Sequence, residues 1–163
     1  MNVLEKLVES KVKIRFPDCD PFNHLNNSKY IDYIINARED HLLSYYDFDI
    51  HKLAQETGIS WLVAQNQIAY LAPVKLMEIV TIQTHLIYCD DRSLLMEGLM
   101  WSEAKTIVKA VLWCKFVHFD LRSKKSHIHS QEHMKFFKQI ENPLVEVVSF
   151  ENRVKNLRSP KAI

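Results

Sequence analysis

The sequence predicts an α+β fold in which a curved antiparallel sheet wraps around one long helix. Three observations lead there. Residues 11–16 (KVKIRF) alternate polar and apolar, as a half-buried strand does. From Asn27 to about Tyr46, the residues Tyr30, Ile31, Ile34, Ala37, His41, Leu42 and Tyr45 recur at three- and four-residue steps, the period of a helix. Residues 59–70, 78–89, 93–101 and 107–119 are rich in Val, Ile, Leu, Thr and aromatics, the composition of strands. The helix has a broad apolar face, and a meander of strands curled around it would bury most of that face.

Each element follows from its local chemistry. Pro17 stops the first strand, and the polar, turn-forming run DCDPFNHLNN connects it to the helix. Asn26 or Asn27 can cap the helix N-terminus, and the helix should extend about 28 Å at 1.5 Å per residue. A short acidic and aromatic segment, YDFDIHKLAQETG, leads on to the strands. In the run 107–119, Val108, Ala110, Leu112, Cys114 and Phe116 share one face. Lys109 and Lys115 lie on the other, which is therefore expected to be partly wet. Asp90–Arg92 and Ser102–Thr106 have the length of hairpin loops. Residues 130–140 suit a short final helix, and VEVVSF in the tail suits one more strand. The expectation is a single domain over 1–163, with a core at about 11–120 and a C-terminal extension at about 123–163.

Composition narrows the function. With 163 residues, 47% of them hydrophobic, the chain can build a real core and is not of the disordered class. The 21 basic and 20 acidic residues leave a formal charge of +1, so no global field favours nucleic acid or an anionic membrane. No apolar run is long enough for a signal peptide or a membrane span. Cys19, Cys89 and Cys114 are widely spaced, odd in number and form no CxxC, which argues against a disulfide framework or zinc cluster and for a reduced, cytoplasmic protein. Gly58 and Gly98 are the only glycines, so neither a dinucleotide fingerprint nor a P-loop can be built.

Chemistry concentrates in Asp18-Cys19-Asp20-Pro21-Phe22-Asn23-His24-Leu25-Asn26-Asn27, between the first strand and the helix. Carboxylates, an imidazole and amides fall within ten residues, beside the unpaired N–H groups and positive dipole end of a helix. Such an end suits a developing oxyanion, and a nearby carboxylate can attack a carbonyl or deprotonate water. The same residue types also serve as ordinary turn and cap formers.

The stretch RFPDCDPFNHLNNSKYIDYIINARED resembles the signature of hotdog-fold thioesterases, in the 4-hydroxybenzoyl-CoA and acyl-CoA thioesterase branch. The matching residues are Asp18, Asp20, His24, Leu25, Asn26, Asn27, Tyr30, Ala37 and Arg38. Further on, Tyr70, Pro73 and Val74 match the family's Y-x-x-P-V strand. The resemblance implies a hotdog fold and an enzyme that hydrolyses an acyl-CoA or acyl-carrier thioester to a carboxylic acid and free thiol. It makes Asp20 the nucleophile or general base and His24 the group that orients acid or water, with the Asn27 backbone N–H as the oxyanion donor. Asn26 and Asn27 would otherwise be a cap and a structural tie. No cofactor is implied beyond the coenzyme A carried by the substrate. A homodimer or homotetramer is implied, with sheets paired edge to edge and the partner's strand near residues 59–70 completing the pocket. Such a sheet does have an edge that needs pairing or cover. Three departures stand out: Phe22 where the plant acyl-carrier thioesterases have a catalytic Asn, Asn23 where many relatives have Gly, and Asn36 at a commonly acidic helix position.

Other groups compete for a role. Cys19 with His24 would make a nucleophile–base pair, but on a strand end Cys19 points opposite to Asp18 and Asp20. His127, His129 and His133 form an H-x-H-x3-H run that could bind a metal, with solvated histidines as the plainer reading. Met96 and Met100 suit a core or an acyl tunnel. Lys105, Lys109 and Lys115 could meet coenzyme A phosphates or simply face water. The rival function is a non-catalytic acyl-thioester binder, which would not need Asp20; the pattern of a hotdog hydratase or dehydratase is absent.

Overall fold

The computed structural model describes residues 3–146 and 148–159. Strand β1 (Val8–Lys13) precedes α1 (Tyr30–Tyr46), which a single 3-10 turn at Asn27–Lys29 leads into. Helix α2 (Ile50–Thr57) follows, then β2 (Ile59–Tyr70), β3 (Ile79–Cys89), β4 (Ser93–Ser102), β5 (Val108–Asp120) and the short β6 (Lys125–Ser126). Helices α3 (Gln131–Ile140) and α4 (Phe150–Arg158) close the chain. The main sheet runs β1-β3-β4-β5-β2, all antiparallel, with β6 paired to β5. It curls around α1, the hotdog arrangement that the resemblance implies.

The inner core lies between α1 and the concave face of the sheet. Tyr30, Ile34 and Ala37 of α1 pack on Ile82, Met100 and Leu112, all buried. Gly98 sits at the centre of this contact: a Cβ there would stand 2.3 Å from Cγ2 of Ile34, so the absent side chain lets the helix seat on the sheet.

Several boundaries and faces differ from the sequence expectations. The first strand is Val8–Lys13, not 11–16, because its partner fixes the register: Val8 faces Thr84 and Lys13 faces Ile79, where β3 begins. Phe16 lies beyond it in a 3-10 turn. The segment read as a connection contains α2, whose Asp49 side chain accepts from the N–H groups of His51 and Lys52 and whose C-cap Gly58 has φ 72°. No strand forms in the described part of VEVVSF. Ser149 instead caps α4 through the Asn152 N–H, and Val147 lies outside the described residues.

The face of β5 expected to be partly wet is covered by the C-terminal extension. Val111 and Trp113 are buried beneath Phe150, Val154 and Leu157 of α4. Glu97, fully buried beneath the same helix, is gripped by Arg153 through two bonds (2.9 and 2.6 Å) and accepts from Trp113 Nε1 (2.8 Å). Helix α3 closes one end, with Phe137 and Ile140 against Leu86 and Cys89. Among the described residues no helix is long and apolar enough to cross a membrane.

Candidate active site at the N-terminus of the long helix

The loop between β1 and α1 is folded by its own side chains. The Asp20 carboxylate accepts the N–H groups of Phe22 (2.9 Å) and His24 (3.1 Å), both on Oδ1. The Asp20 N–H donates to the His24 carbonyl (2.8 Å), which closes a tight turn. Asn23 occupies its tip at φ 60°. That left-handed conformation favours Gly and tolerates Asn better than most residues, so the departure at position 23 is met by backbone geometry. Buried Leu25 pins the loop to the core, and His24 bridges to Lys75 on the neighbouring segment.

Asn26 caps the first turn, its Oδ1 accepting from the Ser28 N–H (3.0 Å). The Asn27 N–H stands at the start of this turn, where no intrahelical acceptor exists. The Asn27 carbonyl accepts the Tyr70 hydroxyl (2.9 Å), and the Tyr70 ring meets Tyr30 edge-on at 5.0 Å. Burial raises the Tyr30 phenol above its ordinary pKa. Lys109 holds the adjacent loop by donating to the Pro73 carbonyl (3.0 Å) while pairing with Glu78 (2.9 Å).

Asp20, His24 and Asn27 therefore come together. They line one open cavity of about 280 Å³, with Tyr30, Tyr70 and Pro73 on its other walls. A carbonyl lodged there would meet a carboxylate, an imidazole and a helix N-terminus. Tyr70 was legible only as part of a strand motif; its tie to the helix start has no local sequence signal.

Asp18 is placed differently. Its Oδ2 accepts the Tyr33 hydroxyl at 2.6 Å, and its carbonyl accepts the Asn26 N–H, so it ties the loop to α1. Cys19 faces the core, with Sγ donating to the Arg15 carbonyl (3.4 Å), and burial raises its thiol pKa. It lines no part of the cavity, so no Cys19–His24 pair forms. Phe22 is 80% exposed, and Asn36 is exposed on α1 away from the cavity.

The histidine run does not make a metal centre. Among the described residues no group of three His, Cys, Asp or Glu side chains could hold an ion. His129 accepts from Trp61 Nε1 (2.9 Å) and donates Nδ1–H to the Asp90 carbonyl (2.9 Å). His118 stacks on Trp61 at 4.7 Å, and His133 packs edge-on to the same ring. The run is part of an aromatic cluster rather than a set of solvated side chains, although His127 is exposed. Lys105 pairs with Glu9 (2.7 Å) and Lys115 faces solvent.

A model of the thioesterase-like superfamily matches residues 14–155. The long-chain acyl-CoA thioesterase FadM of Escherichia coli K12 is 25% identical over 119 residues, 73% of this chain and 88% of that protein. Among solved structures, the probable thioesterase YbaW of Escherichia coli superposes with a TM-score of 0.70 at 24% identity, covering 82% of this chain and 98% of the other. A Staphylococcus aureus protein solved in complex with coenzyme A superposes with a TM-score of 0.77 at 11% identity, covering 93% and 95% of the two chains.

Proposed function

Since this chain belongs to the thioesterase-like superfamily, whose model spans residues 14–155, we propose that it hydrolyses an acyl-CoA thioester to a carboxylic acid and free coenzyme A. The observation that carries the reading is the convergence of Asp20, His24 and Asn27 on one cavity at a helix N-terminus. The similarity to a long-chain acyl-CoA thioesterase supports coenzyme A as the carrier.

The chemistry asks little of the site. A thioester carbonyl is poorly stabilised by resonance and its thiolate leaves readily. The Asn27 N–H receives the oxyanion, where one such donor contributes about 2.7–4 kcal/mol. The free Asp20 oxygen, Oδ2, attacks the carbonyl or removes a proton from water while Oδ1 keeps the turn closed. Attack would give an anhydride that water then opens; His24 on the same wall orients that water.

Thiol release from short, long and aromatic acyl-CoAs, measured with wild type beside Asp20→Asn, tests this. Asparagine retains an oxygen for the Phe22 and His24 N–H groups but removes the charge. Turnover that falls by about 10²-fold or more, with an unchanged melting temperature, is the expected result. Absence of turnover on every acyl-CoA, with saturable binding unaffected by the variant, would favour the acyl-thioester binder instead. Turnover that survives the variant would remove Asp20 from the mechanism.

The active form is proposed to be a homodimer paired through β2. This strand is 12 residues long, bonds to β5 along one edge, and exposes Leu62 and Val63 at 40% and 51%. A long unpaired edge with apolar side chains invites a second strand. Light scattering should report twice the monomer mass for wild type and the monomer mass for Val63→Lys; a monomeric wild type would overturn the pairing. The three unpaired thiols support a reducing, cytoplasmic location.

A further inference from the structure

A second cavity lies along the same helix, nearer its C-terminal end. It is a partly open pocket between α1 and the sheet, with a volume of about 70 Å³. Ile35, Leu42, Trp61, Met96 and Phe116 make its apolar wall, and α2 and α3 complete it with Ile50 and Phe137. Met96 and Phe116 are among the strand residues that an acyl tunnel would use.

One buried charge interrupts this wall. Arg38 is 7% exposed and lines the cavity. Among the described residues its Nη1 donates to Thr84 Oγ1 at a long 3.3 Å, and the Tyr46 hydroxyl is a second hydrogen-bonding partner. It enters no ion pair there; Glu39, the acidic residue on the same wall, turns to His51 at 3.4 Å. The Tyr46 hydroxyl lies beside the guanidinium and brings no negative charge at neutral pH. Burial lowers the pKa of Arg38 to about 10, so it stays charged. A guanidinium has five N–H donors; Thr84 and Tyr46 engage only part of them, and no Arg38 nitrogen is sealed from solvent without a partner, so the remaining donors are open to a ligand in the cavity.

The two cavities share α1. Tyr30 lines the cavity that holds Asp20, and Arg38 stands about 12 Å further along the helix at 1.5 Å per residue. Ile31 and Ile35, both partly buried, lie between them on the helix. An acyl group that starts at Asn27 and follows α1 would bring its far end to the guanidinium.

We propose that the acyl group this protein accepts carries an acceptor oxygen at its far end, a carboxylate or a hydroxyl, bound by Arg38. This rests on the acyl-thioester reading and names its substrate class. A plain hydrocarbon end would displace the solvent that reaches the guanidinium without offering it an acceptor, and sites built to bond a polar group reject analogues that lack it. A carboxylate can take two guanidinium N–H groups at once, so it should be the better of the two ends.

The test compares thiol release from octanoyl-CoA with its ω-hydroxy and ω-carboxy counterparts and their shorter and longer homologues. Wild type should prefer an ω-oxygenated chain by at least about ten-fold in kcat/KM, and Arg38→Met should remove or invert that preference. The two oxygenated arms separate carboxylate from hydroxyl recognition. A wild-type ratio near one, or an equal ratio in Arg38→Met, overturns the proposal. Melting of wild type with the non-hydrolysable thioether S-octyl-CoA against its ω-hydroxy and ω-carboxy counterparts gives a second reading independent of turnover and of the variant's folding. A larger rise with an ω-oxygenated chain supports the site, and an equal or absent rise overturns it. If no thioester is hydrolysed but the melting arm is positive, the hydrolase reading fails and the Arg38 site stands.

Discussion

Asp18 and Asp20 are two residues apart with the same side chain, yet the fold gives them different work. The Tyr33 hydroxyl occupies Asp18 Oδ2, whereas Asp20 spends only Oδ1 on its turn and lines the cavity. Spacing in the sequence places both on one side of the chain, and the family resemblance singles out the second. What separates them physically is a tyrosine one turn into α1. Tyr70 is the converse case, part of a recognised strand motif whose hydroxyl closes the helix start through the Asn27 carbonyl. Removing it leaves the cavity walls in place and frees the first turn. Tyr70→Phe should lower kcat/KM between about three- and ten-fold, the worth of one hydrogen bond of about 1 kcal/mol. Steady-state thiol release measures this. An unchanged kcat/KM would mean that the turn needs no support from β2.

At the scale of elements, the sequence was most readable where the pattern was long. The expected strands at 59–70, 78–89, 93–101 and 107–119 lie within a residue of β2 to β5, and α1 begins three residues after its predicted start because a 3-10 turn precedes it. Helices α2 and α4 were missed. At eight and nine residues they offer barely two turns, too few for a period to stand out, although Asp49, Gly58 and Ser149 mark their ends. The covering of the outer sheet face was also hidden, because it depends on α4 returning to β5 from some forty residues away. Its anchor is a buried charge. Arg153 meets Glu97 with two bonds, and His85 and Trp113 complete the carboxylate's shell. These partners outweigh burial and hold Glu97 at about 2, below its ordinary pKa. Arg153→Met would strand that carboxylate under an apolar sheet face. The expected cost is about 3–5 kcal/mol in urea unfolding, with α4 becoming the first segment to exchange its amide hydrogens. A loss below about 1 kcal/mol would show that apolar packing alone holds α4.

For the molecule as a whole, the buried histidines and Glu97 push stability in one direction with pH. His41 is hemmed in by Thr84 and Ser10, and burial, aided by the Arg38 charge, lowers its pKa from 6.5 to about 4. Burial does the same to His118, also to about 4, with the neighbouring histidines adding to it. His129 and His133 are lowered too. Each takes up its proton near pH 6.5 in the unfolded chain but only at lower pH in the fold. Stability is therefore fully present above pH 6.5 and falls as pH drops toward 4. His41 and His118 each remove about 1.4 kcal/mol per pH unit in that window, roughly 3 kcal/mol apiece by its end. Glu97 adds its loss below about pH 4.5, where the unfolded carboxyl protonates first. Against a typical total of about 5–15 kcal/mol, the two histidines alone take a large share. Urea midpoints at pH 7.5, 6, 5 and 4.5 should fall steadily. Replacing His118 by Phe, which preserves the stack on Trp61, should reduce the slope by about half if these two groups dominate. Proton uptake on unfolding, read by calorimetry in buffers of different ionisation enthalpy, should be about two or more per molecule near pH 5 and about one lower in the variant. A flat midpoint between pH 6.5 and 5 would mean that these imidazoles reach water in the folded protein, and the aromatic cluster around Trp61 would then be open rather than closed.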